Sequence, residues 1–201
     1  MIREFRADCQ RMINQHQIGS PLRLLQIFLF NHGLQALLVY RLGRELIAIG
    51  RRRPLLWPLL LLGWPVYLIL SIYIRLAYDI NLELSADIGP GLYIGHFGDI
   101  SIKHCKIGSL CNIAQFTHIG NDNTGRGPII GDRVWIGALA KINGPYRIGD
   151  RATVSAAAVV LRDIKEDAMC LGNPARVVMS VYDNSVILGL PPITTNENLS
   201  E

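Results

Sequence analysis

Branched aliphatic residues recur at every sixth position along the second half of the chain. Over residues 129–160 the period holds without a miss, and its members are Ile130, Ile136, Ile142, Ile148, Val154 and Val160. A strand repeats every two residues and an α-helix every 3.6, so neither element alone explains this period. Short strands joined by tight turns do explain it, because three of them can close a triangular coil around the aliphatic side chains. The pattern predicts a hexapeptide parallel β-helix.

The same period extends upstream with one slip. Its earlier members are Leu82, Ile88, Ile94 and Ile100, followed one residue late by Ile107, Ile113 and Ile119. Glycine follows many of these aliphatics, as at Gly131 and Gly149, where we expect it to supply positive φ to the turns. A polar, glycine-rich stretch interrupts the period and predicts a loop extruded over residues 120–129. We therefore assign residues 81–180 to the β-helix and residues 181–201 to a C-terminal tail.

Residues 1–80 show a different pattern and predict a helical region. Apolar residues recur there at helical intervals up to Gly50. Residues 54–74 then contain no charged residue in 21 positions, which meets the length criterion for a transmembrane helix. Pro58 and Pro65 lie inside this segment, so two short helices lying in a membrane interface are as plausible as one span.

Charge at the front of the chain favours contact with a membrane. Residues 1–84 hold ten arginines and no lysine against five acidic residues, and the mean hydropathy of the chain is +0.26. Arg51, Arg52 and Arg53 adjoin the apolar segment, where anionic lipid attracts basic residues. We expect a cytoplasmic protein attached peripherally or monotopically to the inner membrane, with no nucleic-acid partner. A buried helix pair with a solvated basic face is the alternative.

Three histidines on the predicted coil are candidates for chemistry. They are His96, His104 and His118. Coil stacking needs separations near 18 residues, which these histidines do not have, so no metal site is expected. An imidazole can instead act as a general base near neutral pH. Small neighbours around His96 would let a substrate approach it, although spacing alone does not choose among the three.

A solenoid of this kind has no deep internal cavity, so a ligand must bind along its outer faces or between neighbouring copies. Most soluble oligomers close by rotation, and a triangular prism offers flat faces that can pack around a threefold axis. We therefore expect a homotrimer with active sites between subunits.

Several longer stretches carry a family resemblance. They read SADIGPGLYIGHFGDISI, IGSLCNIAQFTHIG, GRGPIIGDRVWIGALAKI and GNPARVV. Together they resemble the serine acetyltransferase branch of the left-handed β-helix acyltransferases, and are most similar to members that O-acetylate sugars in bacterial exopolysaccharide or capsule biosynthesis. The stretch HGLQALLVYRLGREL is similar to the helix that precedes the coil in serine acetyltransferases.

The resemblance implies acetyl-CoA as donor, with no metal, and assigns roles to residues. His96 would be the general base, and its acidic or polar partner stays open among Asn81, Glu83 and Asp99. Ala138 and Ala156, one full coil apart, would present backbone groups to the pantetheine arm. The residues that would meet the nucleotide end are Arg162, Lys165, Asn173, Pro174 and Arg176.

Three positions depart from the serine acetyltransferase pattern. An acid is absent at Gly95 and at Asn81, and a second histidine is absent at Gly127. These departures favour transfer of an acetyl group to a saccharide hydroxyl. Serine O-acetylation in cysteine biosynthesis is the first alternative, and a non-catalytic trimeric membrane scaffold is the second.

Overall fold

The computed structural model describes residues 2–16, 30–52 and 57–191. In these residues a helical region precedes a coil of short strands. The helices are α1 (Ile2–His16), α2 (His32–Arg52), α3 (Trp57–Tyr78) and, after the strands, α4 (Ser185–Leu188). The strands are β1 (Ile80–Leu82), β2 (Asp87–Ile88), β3 (Tyr93–Ile94), β4 (Ile100–Ile102), β5 (Lys106–Ile107), β6 (Asn112–Ile113), β7 (His118–Gly120), β8 (Ile129–Ile130), β9 (Trp135–Ile136), β10 (Lys141–Asn143), β11 (Arg147–Ile148), β12 (Thr153–Val154), β13 (Val159–Val160), β14 (Met169–Leu171) and β15 (Arg176–Met179).

The strands form the three faces of a solenoid. Sheet A holds β1, β4, β7, β10 and β13; sheet B holds β2, β5, β8 and β11; sheet C holds β3, β6, β9, β12, β14 and β15. Successive coils pair in parallel, and only the last pair, β14 with β15, runs antiparallel. The predicted parallel β-helix with a preceding helical region is confirmed.

The aliphatics of the six-residue period line the interior of the coil. From Ile88 to Val160 every one of them is buried. The first coil departs from the expected phase, because β1 pairs Ile80 with Ile100 and buries Ile80, which leaves Leu82 only partly buried. Burial of these side chains contributes most of the stability of such a coil, at about 25 cal/mol per Å² of apolar surface.

The glycines that follow the aliphatics serve a different purpose from the expected one. The left-handed positions of the turns hold other residues, such as Arg133 and Leu139, with φ of 55° and 65°. A Cβ on Gly149 would lie 2.3 Å from the amide nitrogen of Glu166, and one on Gly131 would lie 2.2 Å from the Asp150 side chain. The prediction of positive φ at Gly131 and Gly149 is wrong, and the close approach of the next coil is what excludes a side chain there.

Helix α3 contains most of the apolar segment predicted over residues 54–74. Residues 54–56 lie outside the described part of the chain, and the rest forms one helix that continues through Pro65. Its stretch Leu60–Tyr78 is long and apolar enough to cross a membrane by length and composition, and 11% of the most apolar window is buried. One side of α3 packs on α2, where Gly43 faces the Tyr67 ring and Gly63 faces Leu46.

A buried arginine joins the helices to the first coil. The Arg41 guanidinium donates to the carbonyl oxygens of Ile88 and Gly89, each at 2.6 Å, and pairs with the Asp8 carboxylate at 3.1 Å. Asp8 in turn accepts a hydrogen bond from the Gly91 amide at 2.7 Å. Helices α1 and α2 are thereby held against the B–C turn of the first coil.

Candidate functional site

The turns that lead from sheet C to sheet A carry the candidate base and the two stacked alanines. We call these turns the C–A corners. Successive corners contain His96, Gln115, Ala138 and Ala156. Backbone hydrogen bonds tie one corner to the next, since the Ala157 amide donates to the Ala138 carbonyl at 2.7 Å and the Leu139 amide to the Gln115 carbonyl at 3.1 Å. The corners therefore form a continuous edge of the prism.

The corner that contains His96 is longer than the others. Ile94 and Ile102 face the core on either side of it, eight residues apart, whereas six residues separate Ile113 from Ile119 in the next coil. The two extra residues push His96 and Phe97 outward, and both side chains are exposed. Gly98 has a φ of 111°, a conformation that favours glycine, so the lengthened turn can bend back to Asp99.

A groove of about 370 Å³ runs along this edge. His96, Gln115, Ala138 and Ala156 all line it, with Tyr93 and Trp135 on the sheet C side. Gln15 of α1 and Ile187 of α4 close its far wall. The structure thus brings the predicted base and both predicted pantetheine positions into one groove.

The residues expected at the nucleotide end are spread over the last coil. Asn173 and Pro174, joined by a cis peptide bond, continue the C–A edge beyond Ala156, because the Val159 amide donates to the Gly172 carbonyl. Arg162 lies on the turn from sheet A towards sheet B, Lys165 on the next turn, and Arg176 begins β15. All three cations are exposed, and none forms an ion pair within the part of the chain that the structure describes.

A second, larger cavity of about 1010 Å³ lies on sheet A. Asn81, Ser101 and His118 stand on neighbouring strands in register and face into it. Asp99 also lines it and binds His118, with 2.8 Å between Oδ2 of Asp99 and Nε2 of His118. The structure therefore places Asn81 and Asp99 in the sheet A cavity, on the other side of the corner from the groove that His96 lines.

The remaining candidate partner of His96 is engaged elsewhere. Glu83 accepts a hydrogen bond from the Ser85 hydroxyl at 3.1 Å. His96 itself has no hydrogen bond or ion pair with any residue that the structure describes.

The Asp99–His118 pair is the feature of the site that sequence analysis missed. The two residues are 19 positions apart, whereas the strands pair His118 with Ser101, which lies 17 positions before it. Comparing the histidines only with each other hid this pairing. A search of each histidine for an acid within two positions of one coil would have found it.

The extruded loop forms one wall of the sheet A cavity, and an aspartate at its centre orders it. Oδ1 of Asp122 accepts hydrogen bonds from the Thr124 amide at 2.8 Å, the Thr124 hydroxyl at 2.6 Å and the Arg126 amide at 3.0 Å. The Thr124 hydroxyl and these amides lower the pKa of Asp122, because they stabilise its charged form. The loop occupies residues 121–128, between β7 and β8, and it is ordered by its own contacts.

Gly127, where the resemblance expects a second histidine, has no room for a side chain. A Cβ there would lie 1.8 Å from the His104 carbonyl oxygen. A Cβ at Gly95, where an acid is expected, would lie 2.8 Å from the Tyr93 ring. The His104 backbone therefore leaves no room for a side chain at Gly127, and the Tyr93 ring occupies the space that a side chain at Gly95 would need.

Comparison with known proteins gives relatives of one kind. The chain is 30% identical over 158 residues to a serine acetyltransferase of Synechococcus elongatus, covering 77% of this chain and 60% of that protein. It is 31% identical over 157 residues to the serine acetyltransferase of Helicobacter pylori, covering 76% of this chain and 85% of that protein. No protein-family model matches the chain.

A solved structure of a serine acetyltransferase in complex with CoA shares the fold. It aligns with a TM-score of 0.71 and 27% identity, over 88% of this chain and 69% of that one. Less than two thirds of the Synechococcus protein's length is matched by this chain.

These relatives contradict the expected saccharide acceptor. They also contradict the closer resemblance to exopolysaccharide and capsule sugar O-acetyltransferases. Transfer to a saccharide hydroxyl in exopolysaccharide or capsule biosynthesis was inferred from three departures, yet proteins matched along most of the chain are serine acetyltransferases. At Gly95 and Gly127 the absence of a side chain is explained by local packing and does not mark a sugar enzyme. The chain belongs to the serine acetyltransferase family.

Proposed function

We propose that the protein transfers the acetyl group of acetyl-CoA to the hydroxyl of serine. The observation that carries this proposal is the single groove that His96, Ala138 and Ala156 all line. The chain also aligns with 85% of the length of the Helicobacter enzyme. The solved relative with CoA bound supports the donor.

The groove suits a thioester and its attacking alcohol. An alcohol is a weak nucleophile at neutral pH until a base accepts its proton. His96 accepts the hydroxyl proton as the oxygen attacks the thioester carbonyl carbon. The carbon–sulfur bond then breaks, and the departing CoA thiolate takes the proton. Ala138 and Ala156 leave the corner backbone open to the pantetheine arm, while Asn173, Pro174 and the cations Arg162, Lys165 and Arg176 are available to the nucleotide end.

The test is release of CoA thiol from acetyl-CoA by the purified, detergent-solubilised protein in the presence of L-serine. A positioned base is worth about 10²–10⁴ in rate, so we expect His96→Ala to lose activity by that factor. His104→Ala is the matched control, because His104 is an exposed histidine that lines neither the groove nor the sheet A cavity. Absence of thiol release, together with absence of CoA binding, would favour the non-catalytic scaffold.

We further propose that the active assembly is a homotrimer with its sites between subunits. Large apolar side chains are exposed along the edge and the last coil, including Leu139, Leu161 and Val177. Contact with neighbouring copies would cover them and deepen the groove. Light scattering should give a mass three times that of the 22.4 kDa chain, and a monomer at catalytic concentrations would contradict the proposal.

We also propose that α3 lies in the surface of the cytoplasmic membrane, on the side where acetyl-CoA is present. One stripe of the helix, away from α2, is exposed, and its members are Leu62, Val66, Ile69, Tyr73 and Leu76. Arg51 and Arg52 at the end of α2 are exposed and would face anionic headgroups. Because the opposite side of α3 packs on α2, an interfacial position keeps the helical region intact.

Vesicle flotation tests this attachment. We expect the protein to float with vesicles containing phosphatidylglycerol, and Ile69→Glu to abolish flotation, because it places a charge on the apolar stripe. Glu45→Gln in α2, which removes a charge away from this stripe, is the control. Equal flotation of wild type and Ile69→Glu would reject an interfacial α3.

A further inference from the structure

A third cavity, of about 410 Å³, lies where α2 and α3 cover the first coil. We call it the end cavity. Ile80 and Leu82 face the interior of that coil, since β1 pairs them with the buried Ile100 and Ile102. Among the described residues no coil precedes β1, so helices cover this end and leave Leu82 only partly buried at the cavity. The volume falls in the range of small-ligand sites.

The walls of the end cavity are mainly apolar. Tyr67, Ser71 and Ile74 line it at helical spacing, so one face of α3 forms a wall. Val39 and the ring of Tyr40, both buried, line it from α2. The Ser71 hydroxyl already donates to a carbonyl oxygen within α3, at 2.9 Å. These walls suit an aliphatic chain, because each methylene buried against them strengthens binding about fourfold.

The rim of the end cavity holds one cation and one anion. Arg75 is exposed, Glu83 is half-buried, and both line the cavity. Neither side chain forms an ion pair with any residue that the structure describes. The Ser85 hydroxyl donates to Oε2 of Glu83 at 3.1 Å, and Oε1 has no hydrogen-bond partner among the described residues. A headgroup with a phosphate and an ammonium group would therefore meet an opposite charge for each.

The end cavity opens beside the exposed stripe of α3. Ile72 lines the cavity and is 55% exposed. It adjoins Tyr73 and lies about one helical turn from Ile69, two members of the stripe proposed to lie in the membrane surface. A lipid chain can thus pass from a bilayer into the cavity along α3.

We propose that the end cavity holds an acyl chain of an ethanolamine phospholipid, with the phosphate at Arg75 and the ammonium group at Glu83. The chain fills the space that the helices leave over the open end of the first coil, where a solenoid needs a cap. This inference goes beyond serine acetylation, and its binding assay does not require the membrane attachment proposed for α3.

Native mass spectrometry of the detergent-solubilised protein tests this site without turnover. The probes are dioleoyl phosphatidylethanolamine, dioleoyl phosphatidylglycerol without an ammonium group, dioleoylglycerol without a phosphate, and glycerophosphoethanolamine without chains. We expect the first to bind most tightly and the next two about 3- to 10-fold more weakly, because each lacks a charged group. Glycerophosphoethanolamine should bind at least about 100-fold more weakly, because it buries no chain.

Two results with the wild-type protein would overturn the proposal. One is the absence of any bound lipid. The other is binding of phosphatidylglycerol or dioleoylglycerol as tight as that of phosphatidylethanolamine. Because both comparisons use the wild type, they hold even where a variant fails to fold.

Variants assign the headgroup contacts. Arg75→Gln and Glu83→Gln should each weaken binding of phosphatidylethanolamine about 3- to 10-fold. Glu83→Gln should leave binding of phosphatidylglycerol unchanged, because that lipid has no ammonium group. Arg44→Gln is the matched control, since Arg44 pairs with Asp87 and does not line the end cavity. Unchanged lipid binding in both Arg75→Gln and Glu83→Gln would overturn the headgroup assignment and with it the proposal.

A further pair of variants tests the chain. Ser71→Phe places a ring in the end cavity and should weaken binding of all three dioleoyl lipids at least about tenfold. Leu70→Phe adds a ring to the same helix outside the cavity and should change none of them. Equal binding by these two variants would contradict a chain in the cavity.

Ile69→Glu separates the end cavity from the exposed stripe. Ile69 does not line the cavity, so this variant should still bind phosphatidylethanolamine in detergent although it no longer floats with vesicles. Loss of lipid binding in Ile69→Glu would place the lipid on the stripe and overturn the inference. Serine acetylation by a protein that binds no lipid would also overturn it and leave the proposed activity standing.

Discussion

Single residues in the coil are constrained chiefly by burial, and the cysteines show how strongly this controls their chemistry. Cys111 and Cys105 are buried, and burial raises the pKa of each thiol to about 12. Cys9 on α1 is only partly buried, and desolvation raises its pKa as well. All four cysteines are free thiols.

Thiol labelling at pH 8 should therefore be selective. Only the thiolate reacts with iodoacetamide, and its population falls about tenfold for each unit that the pKa lies above the pH. We expect Cys9 to be the first residue modified in the native protein and Cys111 to stay unmodified over the same period, as read by peptide mass spectrometry. Labelling in denaturant, where all four should react alike, is the control, and native Cys111 reacting as fast as Cys9 would contradict this account.

The glycines at the close approaches between coils give a second prediction at this scale. Gly149→Ala would place a Cβ against the backbone of Lys165 and Glu166, which cannot move without opening the coil. Overpacking of this kind costs about 1–3 kcal/mol. Gly120→Ala is the matched control, since its nearest contact would be an ordinary 3.4 Å. Urea unfolding should separate the two variants, and equal stability would show that coil spacing adapts to a methyl group.

At the level of elements, the loop between β7 and β8 depends on one carboxylate. The pKa of Asp122 is lowered by the Thr124 hydroxyl and by backbone amides. A lowered folded-state pKa means that this stabilisation is present above the ordinary value near 3.8 and is lost as the pH falls through the lower, folded-state value. At neutral pH the loop should be ordered.

Hydrogen exchange tests this arrangement. Asp122→Ala should speed exchange of the Thr124 and Arg126 amides at pH 7, because both lose their acceptor. The wild-type protein should keep protection of these two amides at pH 5. Amides of β7 serve as the internal control and should be unaffected. Protection that survives in Asp122→Ala would show that the loop is ordered by other contacts.

The elements also show what the sequence could predict and what it could not. The six-residue period predicted the coil and its core because every coil buries one face in the same way. The same reasoning misplaced the first coil, where Ile80 is buried in place of Leu82, because the paired strands are 20 residues apart there, from Ile80 to Ile100, and not 18. The two prolines made two short helices as plausible as one span over residues 54–74, whereas the described part of this segment forms one helix that continues through Pro65.

Only part of the candidate site could be predicted from the sequence. His96, Ala138 and Ala156 were found because their roles follow from coil stacking and from resemblance. The pairing of Asp99 with His118 depends on the direction of a turn with a positive φ, which residue spacing does not report. The acceptor was predicted wrongly for a different reason, because the missing side chains at Gly95 and Gly127 were interpreted as chemistry, whereas close packing excludes them.

Over the whole molecule, the two ends of the described chain meet on the coil through one arginine. Arg11 of α1 donates to the Leu188 carbonyl of α4 and, at 3.1 Å, to Oδ1 of Asn112 on β6. Its side chain is buried, and burial lowers the pKa of Arg11. Asn184, just before α4, donates to the carbonyls of Arg133 and Arg151 at 3.0 and 2.8 Å, which extends the contact across two further coils.

This arrangement predicts that α1, α4 and the middle coils open together. Arg11→Ala would leave buried carbonyl acceptors without a donor, at a cost on the order of 2–3 kcal/mol, and should raise amide exchange in α1 and α4 by similar factors although they are far apart in sequence. Arg44→Ala is the matched control, because its pair with Asp87 is exposed and contributes about 1 kcal/mol or less. An increase confined to α1 would mean that α4 is held by Asn184 and its neighbours alone. In that case the donor groove, which Gln15 and Ile187 border from these two helices, would keep its α4 wall when α1 opens.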